Sequence, residues 1–311
     1  MAVPVTGPIT VLKSIYLIEI EQDGAVGVAR YGNRSFSMIS QAPESLFWAR
    51  NRDPDSPAPG PWNDVVAGLV NHRSVRNFAS AALPQGLAET LVAAAQSAAS
   101  SSNLQTWSVV AVEDAARKAR LSELAGNQAF VRQAPLFLVW LADLSRNERV
   151  AAERQIKLEA IDYLETLFIG IIDAALAAQN AVVALESLGL GAVYVGAIRN
   201  KPELVATELG LPPRVMAVFG LAVGYPDPTV ASGVKPRLPQ RAVLHREQYD
   251  KTPQPEAVLH YDAQMSDFQR EQNMDVIGWL GRTIPRLRSV KSLAGRDRMR
   301  EALANLGFEL R

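Results

Sequence analysis

Apolar and polar positions divide the chain into stretches of recognisable period. Pro135 to Ala142 (Pro-Leu-Phe-Leu-Val-Trp-Leu-Ala) is an unbroken apolar run, which predicts a strand buried on both faces. Val109–Glu113, Gly191–Ile198 and Val215–Tyr225 read as further strands. Helical spacing predicts a short helix over Asn63–Val70 and an alanine-rich one over Leu83–Ala99, with Pro84 in its first turn. Ala115–Ala125 reads as a helix closed by Gly126, and Lys201–Leu209 as another short one. Leu158–Leu188 is a long helix ended by Gly189. It is apolar nearly all round, so it is expected to be buried at a domain or dimer core. Pro226–Pro239 is a proline-rich excursion. The region from His260 to Arg311 reads as helical, with Gly278, Gly281 and Pro285 as breaks.

The first 62 residues differ from the rest. A possible strand at Val11–Ile20 is followed by Asn51–Pro61, where Pro54, Pro57, Pro59 and Pro61 with Gly60 forbid a regular element and mark a linker. The main domain is therefore expected from about Trp62, with residues 1–62 as an extension of unknown role and Met38 as an alternative in-frame start. Residues 63–250 form the expected core and 251–311 a C-terminal helical extension. Helices and strands mix without regular βαβ alternation, and no GxGxxG follows a first strand. That argues against a dinucleotide-binding Rossmann domain and for the α+β class, a mixed sheet surrounded by helices.

Composition removes several chemistries. The 311 residues are 48% hydrophobic, enough for one large core or two modest ones. There is no cysteine, which excludes disulfides, thiolate nucleophiles, iron–sulfur clusters and cysteine zinc sites, and fits a reducing cytoplasm. The three histidines, His72, His245 and His260, have no ligand-like spacing, so no metal site is expected. The zero net charge does not suggest nucleic-acid binding. No stretch is read as approaching the roughly 20 uninterrupted apolar residues of a membrane helix.

Four motifs remain. In Asn71–Phe78 an extended backbone puts His72, Ser74 and Arg76 on one face, an anion cradle or else a solvated connection. Ser100–Trp107 is a loop rich in hydroxyl and backbone donors, or simply a turn between helix and strand. In Lys235-Pro236-Arg237 a proline sets two cations two residues apart, suited to a phosphate monoester; the alternative is a basic surface loop. In Gly189–Arg199 the small residues Gly196 and Ala197 admit a planar ligand close to the backbone, or serve tight packing.

In this order and at these separations the motifs resemble the nitroreductase superfamily, nearest to its oxygen-insensitive NADPH nitroreductase and NADPH–flavin oxidoreductase branch. Gln179-Asn180, Glu186–Gly191, Phe219-Gly220, Gly224–Pro226, the Lys-Pro-Arg-Leu-Pro run and His245 add to the likeness, which runs from about Val65 to the C-terminus. The resemblance implies an FMN-dependent fold and an intertwined homodimer with two FMN sites at the interface. It assigns His72, Arg73, Ser74 and Arg76 to the first FMN segment, with Arg76 beside the flavin N1–O2 edge. It assigns Ser100, Ser101 and Asn103 to a loop reaching FMN from the other subunit, with Ser102 near the substrate, and Gln128 to a glutamine near the flavin. Asn103 departs from the nearest branch, where an aromatic often stands. Tyr194, Val195, Gly196 and Ala197 match the backbone facing N5, and Lys235 and Arg237 match the phosphate pair. Arg199 and Arg296 match arginines that contact substrate or NADPH.

The implied reaction is a ping-pong, two-electron cycle. NADPH or NADH gives a hydride to the FMN N5, and a nitroaromatic, quinone or free flavin then takes it, so no protein residue acts as a catalytic nucleophile or base. The alternatives are a dedicated flavin, quinone or metal-oxyanion reductase on the same scaffold, or a flavin-binding protein without turnover.

Overall fold

Strand β2 (Leu136–Asp143) organises the molecule because all eight of its residues are buried. Its side chains alternate between two cores, as the period-two geometry of a strand requires. Leu136, Leu138 and Trp140 pack against helices α3 (Leu87–Gln96) and α7 (Leu164–Ser187), through Leu91, Ala95, Ala177, Ala178, Ala181 and Leu185. Phe137, Val139 and Leu141 face α4 (Ala115–Leu124), α5 (Ala129–Gln133) and α8 (Pro202–Leu209), through Leu121, Val131 and Val205. The sheet is completed by β1 (Trp107–Val112), β3 (Gly191–Val195) and β4 (Val215–Gly224), in the order β1-β2-β4-β3, with neighbouring strands antiparallel. Among the described residues its parallel component is one bridge, Ser74 to Ala192.

The computed structural model describes residues 42–311, which belong to one compact unit. The strand expected at 11–20 and the alternative start at Met38 lie outside the described residues. Helix α1 (Pro43–Asn51) precedes the proline-rich run and belongs to the same unit as the sheet, so that unit begins upstream of the boundary expected near Trp62. Helix α2 (Asp64–Val70) follows the run. Asn63 caps it by accepting from the Val66 amide at 3.0 Å.

Helix α7 departs from expectation in three ways. It begins at Leu164, because residues 160–162 form a 3-10 turn and Tyr163 is extended (φ −93°, ψ 148°). The chain end occupies this break: the Arg311 amide donates to Asp162 O at 2.9 Å and the Leu164 amide to Arg311 O at 3.2 Å. Within the single chain the helix is also buried on one face only. Leu167, Ala174, Ala177, Ala178, Ala181 and Leu185 are buried, whereas Phe168, Ile172 and Leu176, spaced four apart, are 49%, 54% and 43% exposed. Finally, its length and mean hydropathy of 1.8 over 18 residues reach those of a membrane span, contrary to the sequence reading. Its inner face is nonetheless packed on the sheet, and its Asp173 is 1% exposed and fully engaged by hydrogen bonds.

Further differences are local. Helix α3 starts at Leu87 rather than Leu83, after Gly86 in the left-handed region (φ 77°). The strand at Gly191 stops at Val195 and continues as a 3-10 turn through Asn200. Helices α5 and α6 (Ser145–Glu153) are additional to the predicted set. In the C-terminal region α9 (Gln254–Glu271), α10 (Leu280–Arg288) and α11 (Met299–Asn305) follow one another. Gly278 does lie in the break between α9 and α10 (φ 65°), but Gly281 and Pro285 lie inside α10. There Pro285 removes one helical hydrogen bond, to the Gly281 carbonyl, on a helix with no buried residue where solvent can replace it.

Candidate active site

The extended segment after α2 is laid against the end of β3. The Val75 amide donates to Ala192 O at 2.9 Å, and a Cβ at Gly191 would sit 2.4 Å from the Val75 side chain. Glycine at 191 is thus the condition for this approach, and it couples the first motif to the fourth. Val75 is 3% exposed, so its neighbours Ser74 and Arg76 turn outward into a cleft, as alternation demands. Farther along, the Ala79 amide bonds Tyr225 O and the Asp227 amide bonds Asn77 O. The segment therefore bridges the ends of β3 and β4.

A cleft of about 250 Å³ opens here, lined by His72, Arg73, Ser74 and Arg76 from one side and Lys235 and Arg237 from the other. Two of the four motifs, about 160 residues apart in the chain, meet in it. His72 Nδ1 lies 2.7 Å from Glu186 Oε1 at the end of α7, which fixes the imidazole. The Lys235–Arg237 run is held by α9, since Tyr261 Oη donates to Pro236 O at 3.0 Å. Asp227 also lines the cleft, but its Oδ1 accepts from the Thr229 amide and hydroxyl at 2.9 and 2.7 Å.

A seventh residue was missed by sequence reasoning. Arg50, from α1, reaches the cleft and donates to three main-chain carbonyls: Nε to Val70 O at 3.1 Å, and the two terminal nitrogens to His72 O and Lys235 O. Its own carbonyl accepts from the Arg237 amide at 2.9 Å. The helix-start signal of Pro43 and Glu44 was legible, but nothing local distinguishes Arg50 from a surface arginine.

The cations of this cleft weaken one another. Burial, then the neighbouring Arg237, lower the Arg50 guanidinium to about 10. Burial and Arg282, on α10, push Arg76 down. Burial, then Arg76, Arg237 and Arg282, push the Lys235 ammonium below its ordinary value. A concave site whose like charges repel is electrostatically incomplete and favours a polyanion.

The other predicted residues lie elsewhere. The Ser100–Asn103 turn is pinned beside α7 by Asp173, which accepts from Ser100 Oγ (2.9 Å), the Ser101 amide (3.2 Å) and the Thr106 amide and hydroxyl (both 3.0 Å). Ser102, Asn103 and Gln105 are held at positive φ (48°, 54° and 52°), an arrangement typical of functional loops. Gln128 precedes α5, and its carbonyl accepts from Ser122 Oγ at 2.8 Å. Tyr194 Oη donates to Gln179 Oε1 at 3.3 Å, and its ring meets Phe219 edge-on at 5.1 Å. Val195 ends β3, and Gly196 and Ala197 open the 3-10 turn. Arg199 lies over Gly196, with its guanidinium 3.4 Å from where a Cβ would be, and donates to Val218 O. Burial and the charge of Arg296 lower the pKa of Arg199, and Gly295 packs on the Asn200 carbonyl, so the segments that carry these two predicted residues lie side by side.

A four-stranded sheet between two helical layers, with a basic cleft at one end, defines an α+β fold of the nitroreductase type. Comparison with known proteins agrees. The nitroreductase family model matches residues 69–225, and that of the nitroreductase family C-terminal domain matches 235–311. The FMN reductase (NADPH) of Bacillus subtilis is 41% identical over 213 residues, 68% of this chain and 85% of that protein. The oxygen-insensitive NADPH nitroreductase of Salmonella typhimurium is 40% identical over 201 residues, 64% of this chain and 80% of that protein. The NADPH:FMN oxidoreductase of Vibrio harveyi, solved in complex with NAD+, superposes with a TM-score of 0.71 at 32% identity, covering 80% of this chain and all of that one. The chain belongs to the nitroreductase family.

Proposed function

We propose that this protein is an FMN-dependent NAD(P)H oxidoreductase that reduces nitroaromatics, quinones or related acceptors in two-electron steps. The observation that carries the reading is the cleft in which Arg50, Arg76 and Lys235 are each destabilised by burial and by other cations. A flavin phosphate carries about −1.5 to −2 charges near neutral pH, as a phosphate monoester does, and it answers that imbalance. Lys235, Arg237 and Ser74 hold the phosphate by charge-assisted hydrogen bonds, with His72 beside them. Arg76 takes the polar edge of the ring, where a fixed positive charge stabilises developing anionic character. Bound FMN supplies the hydride chemistry, and the protein binds, orients and tunes it. Tyr194, Val195, Gly196, Ala197 and Gln128 serve the ring, with Gly196 providing a backbone free of a side chain.

The electron donor is NADPH, in keeping with the names of the related enzymes. Arg199 and Arg296, whose charges already oppose each other, suit its 2′-phosphate. The enzyme works as a homodimer. The exposed apolar stripe of Phe168, Ile172 and Leu176 on α7 supports this, as does the adjacent Ser100–Asn103 turn, which is absent from the cleft of its own chain and suited to the cleft of a partner. A cytoplasmic location, where reduced nicotinamide donors are supplied, completes the reading.

Anaerobic mixing of the FMN-loaded protein with NADPH tests it. Bleaching of the flavin band is expected, followed by recolouring with a nitroaromatic or quinone, and parallel double-reciprocal lines in the steady state. A colourless protein that cannot be reconstituted with FMN overturns the reading, and intersecting lines overturn the shared-site cycle. A dedicated flavin reductase is the second reading, favoured by the Bacillus relative's name, and a strong preference for free FMN over nitroaromatic and quinone acceptors would select it.

A further inference from the structure

We infer that α1 is a built part of the anion site and that Arg50 is the positioning residue that joins the two halves of the phosphate cradle. The inference rests on the flavin reading above. It assigns a role to a residue that precedes both family segments, 69–225 and 235–311.

The cradle is assembled from segments far apart in the chain, His72–Arg76 and Lys235–Arg237, and neither is a helix or a long strand able to hold the other in place. Arg50 bonds to both. Its side chain takes Val70 O and His72 O on one side and Lys235 O on the other, while its carbonyl receives the Arg237 amide. Lys235 and Arg237 are thus each fixed at the backbone by the same residue, with Pro236 rigid between them. Three carbonyl oxygens, the negative ends of peptide dipoles, are engaged by a cation and do not oppose an anion in the same cleft. Lysine cannot reproduce this, because a single ammonium lacks the planar fork that reaches three separated acceptors.

The two residues that follow α1 fasten its end, as a positioning element requires. Arg52 makes a two-pronged contact with Glu271 on α9, at 2.8 and 2.7 Å. Asp53 is 3% exposed and pairs with Arg241, with His260 Nε2 at 3.8 Å. Three charged side chains within four residues fasten the segment to the region that carries Lys235 and Arg237.

The test compares FMN with riboflavin, which lacks the phosphate, by fluorescence titration of the full-length apoprotein in wild type, Arg50→Lys and Arg50→Met. In the wild type FMN is expected to bind far more tightly than riboflavin. Arg50→Met is expected to weaken FMN about 10-fold or more, the loss anticipated when charge-assisted hydrogen bonds are removed, while riboflavin affinity stays the same. Arg50→Lys should fall between. An unchanged ratio of FMN to riboflavin affinity in Arg50→Met overturns the inference, and so does an equal loss of both ligands, which is what a merely structural residue would produce. If Arg50→Met does not fold, the ratio in Arg50→Lys decides in the same way. A wild type that binds both ligands equally, or neither, overturns the flavin-phosphate reading itself.

Discussion

His72 Nδ1 and Glu186 Oε1 stand 2.7 Å apart, joining the strand segment that lines the basic cleft to the last turn of the core helix α7. Glu186 also raises the Arg50 guanidinium that burial and Arg237 lower. One carboxylate thus orders the imidazole and tempers the cation excess without entering the cleft. Glu186→Ala is expected to weaken FMN binding by about 2- to 10-fold, the range of one net hydrogen bond, with little change in thermal stability. Titration of apoprotein with FMN measures it, and unchanged affinity would show that His72 is held by other contacts.

Lys235 makes the cleft sensitive to alkaline pH. Burial, then Arg76, Arg237 and Arg282, lower its folded-state pKa below the ordinary lysine value. The folded apoprotein therefore binds fewer protons than the unfolded chain across the interval between these two values. The destabilisation is fully present below the lowered pKa and disappears as pH rises towards the ordinary one. Apoprotein stability should rise through that window, relative to Lys235→Gln. FMN affinity should fall over the same range as the ammonium is lost, and Lys235→Gln should bind weakly with a flatter alkaline limb. Denaturant melts and FMN titrations from neutral to alkaline pH read both trends, and parallel profiles for wild type and Lys235→Gln would refute the assignment.

Asp173 carries the Ser100–Thr106 loop. It is 1% exposed and accepts four hydrogen bonds. Asp173→Ala leaves those donors unpaired next to the core, and a loss on the order of 3 kcal/mol in unfolding free energy is expected. Urea denaturation checks this. A change below about 0.5 kcal/mol, the range of an ordinary surface substitution, would mean that the loop finds other acceptors.

The stripe on α7 makes assembly testable. Ile172→Glu places a charge among Phe168 and Leu176 without touching the buried face of the helix. Monomer is expected in sedimentation velocity, together with loss of FMN, because the Ser100–Asn103 turn then has no partner cleft to complete. A monomer that keeps wild-type FMN affinity would separate the cofactor site from the interface and refute that link.

Acid stability of the C-terminal region depends on Glu203. Hydrogen bonds from Arg298 hold its carboxyl at about 2, and Asn305 adds a further one. Because the folded pKa is depressed, the stabilisation is present above the ordinary carboxylate pKa and is lost as pH falls towards 2. Partial exposure keeps the effect modest. Glu203→Gln should lower the melting temperature near neutral pH and converge with wild type at the acid end of the range. A constant offset down to pH 2 would locate its role in packing.

By itself the sequence determined the elements whose cause is local. The apolar run at 136–142 is a strand buried on both sides because no polar residue interrupts its period. Glycines such as Gly189 and Gly126 end helices because they accept positive φ (77° and 76°). The order of the motifs indicated the family and six residues of the cleft. Only the tertiary structure decided what depends on distance in space. It divided α7 into a packed face and an exposed apolar stripe, which composition alone could not do because both faces are apolar. It brought segments about 160 residues apart into one cleft, and it placed Arg50 beneath them from beyond a proline-rich run that reads as a linker. Neither could be read locally, because a guanidinium bonded to carbonyls and one bonded to water have the same sequence, and the difference between them is made by the fold that surrounds it.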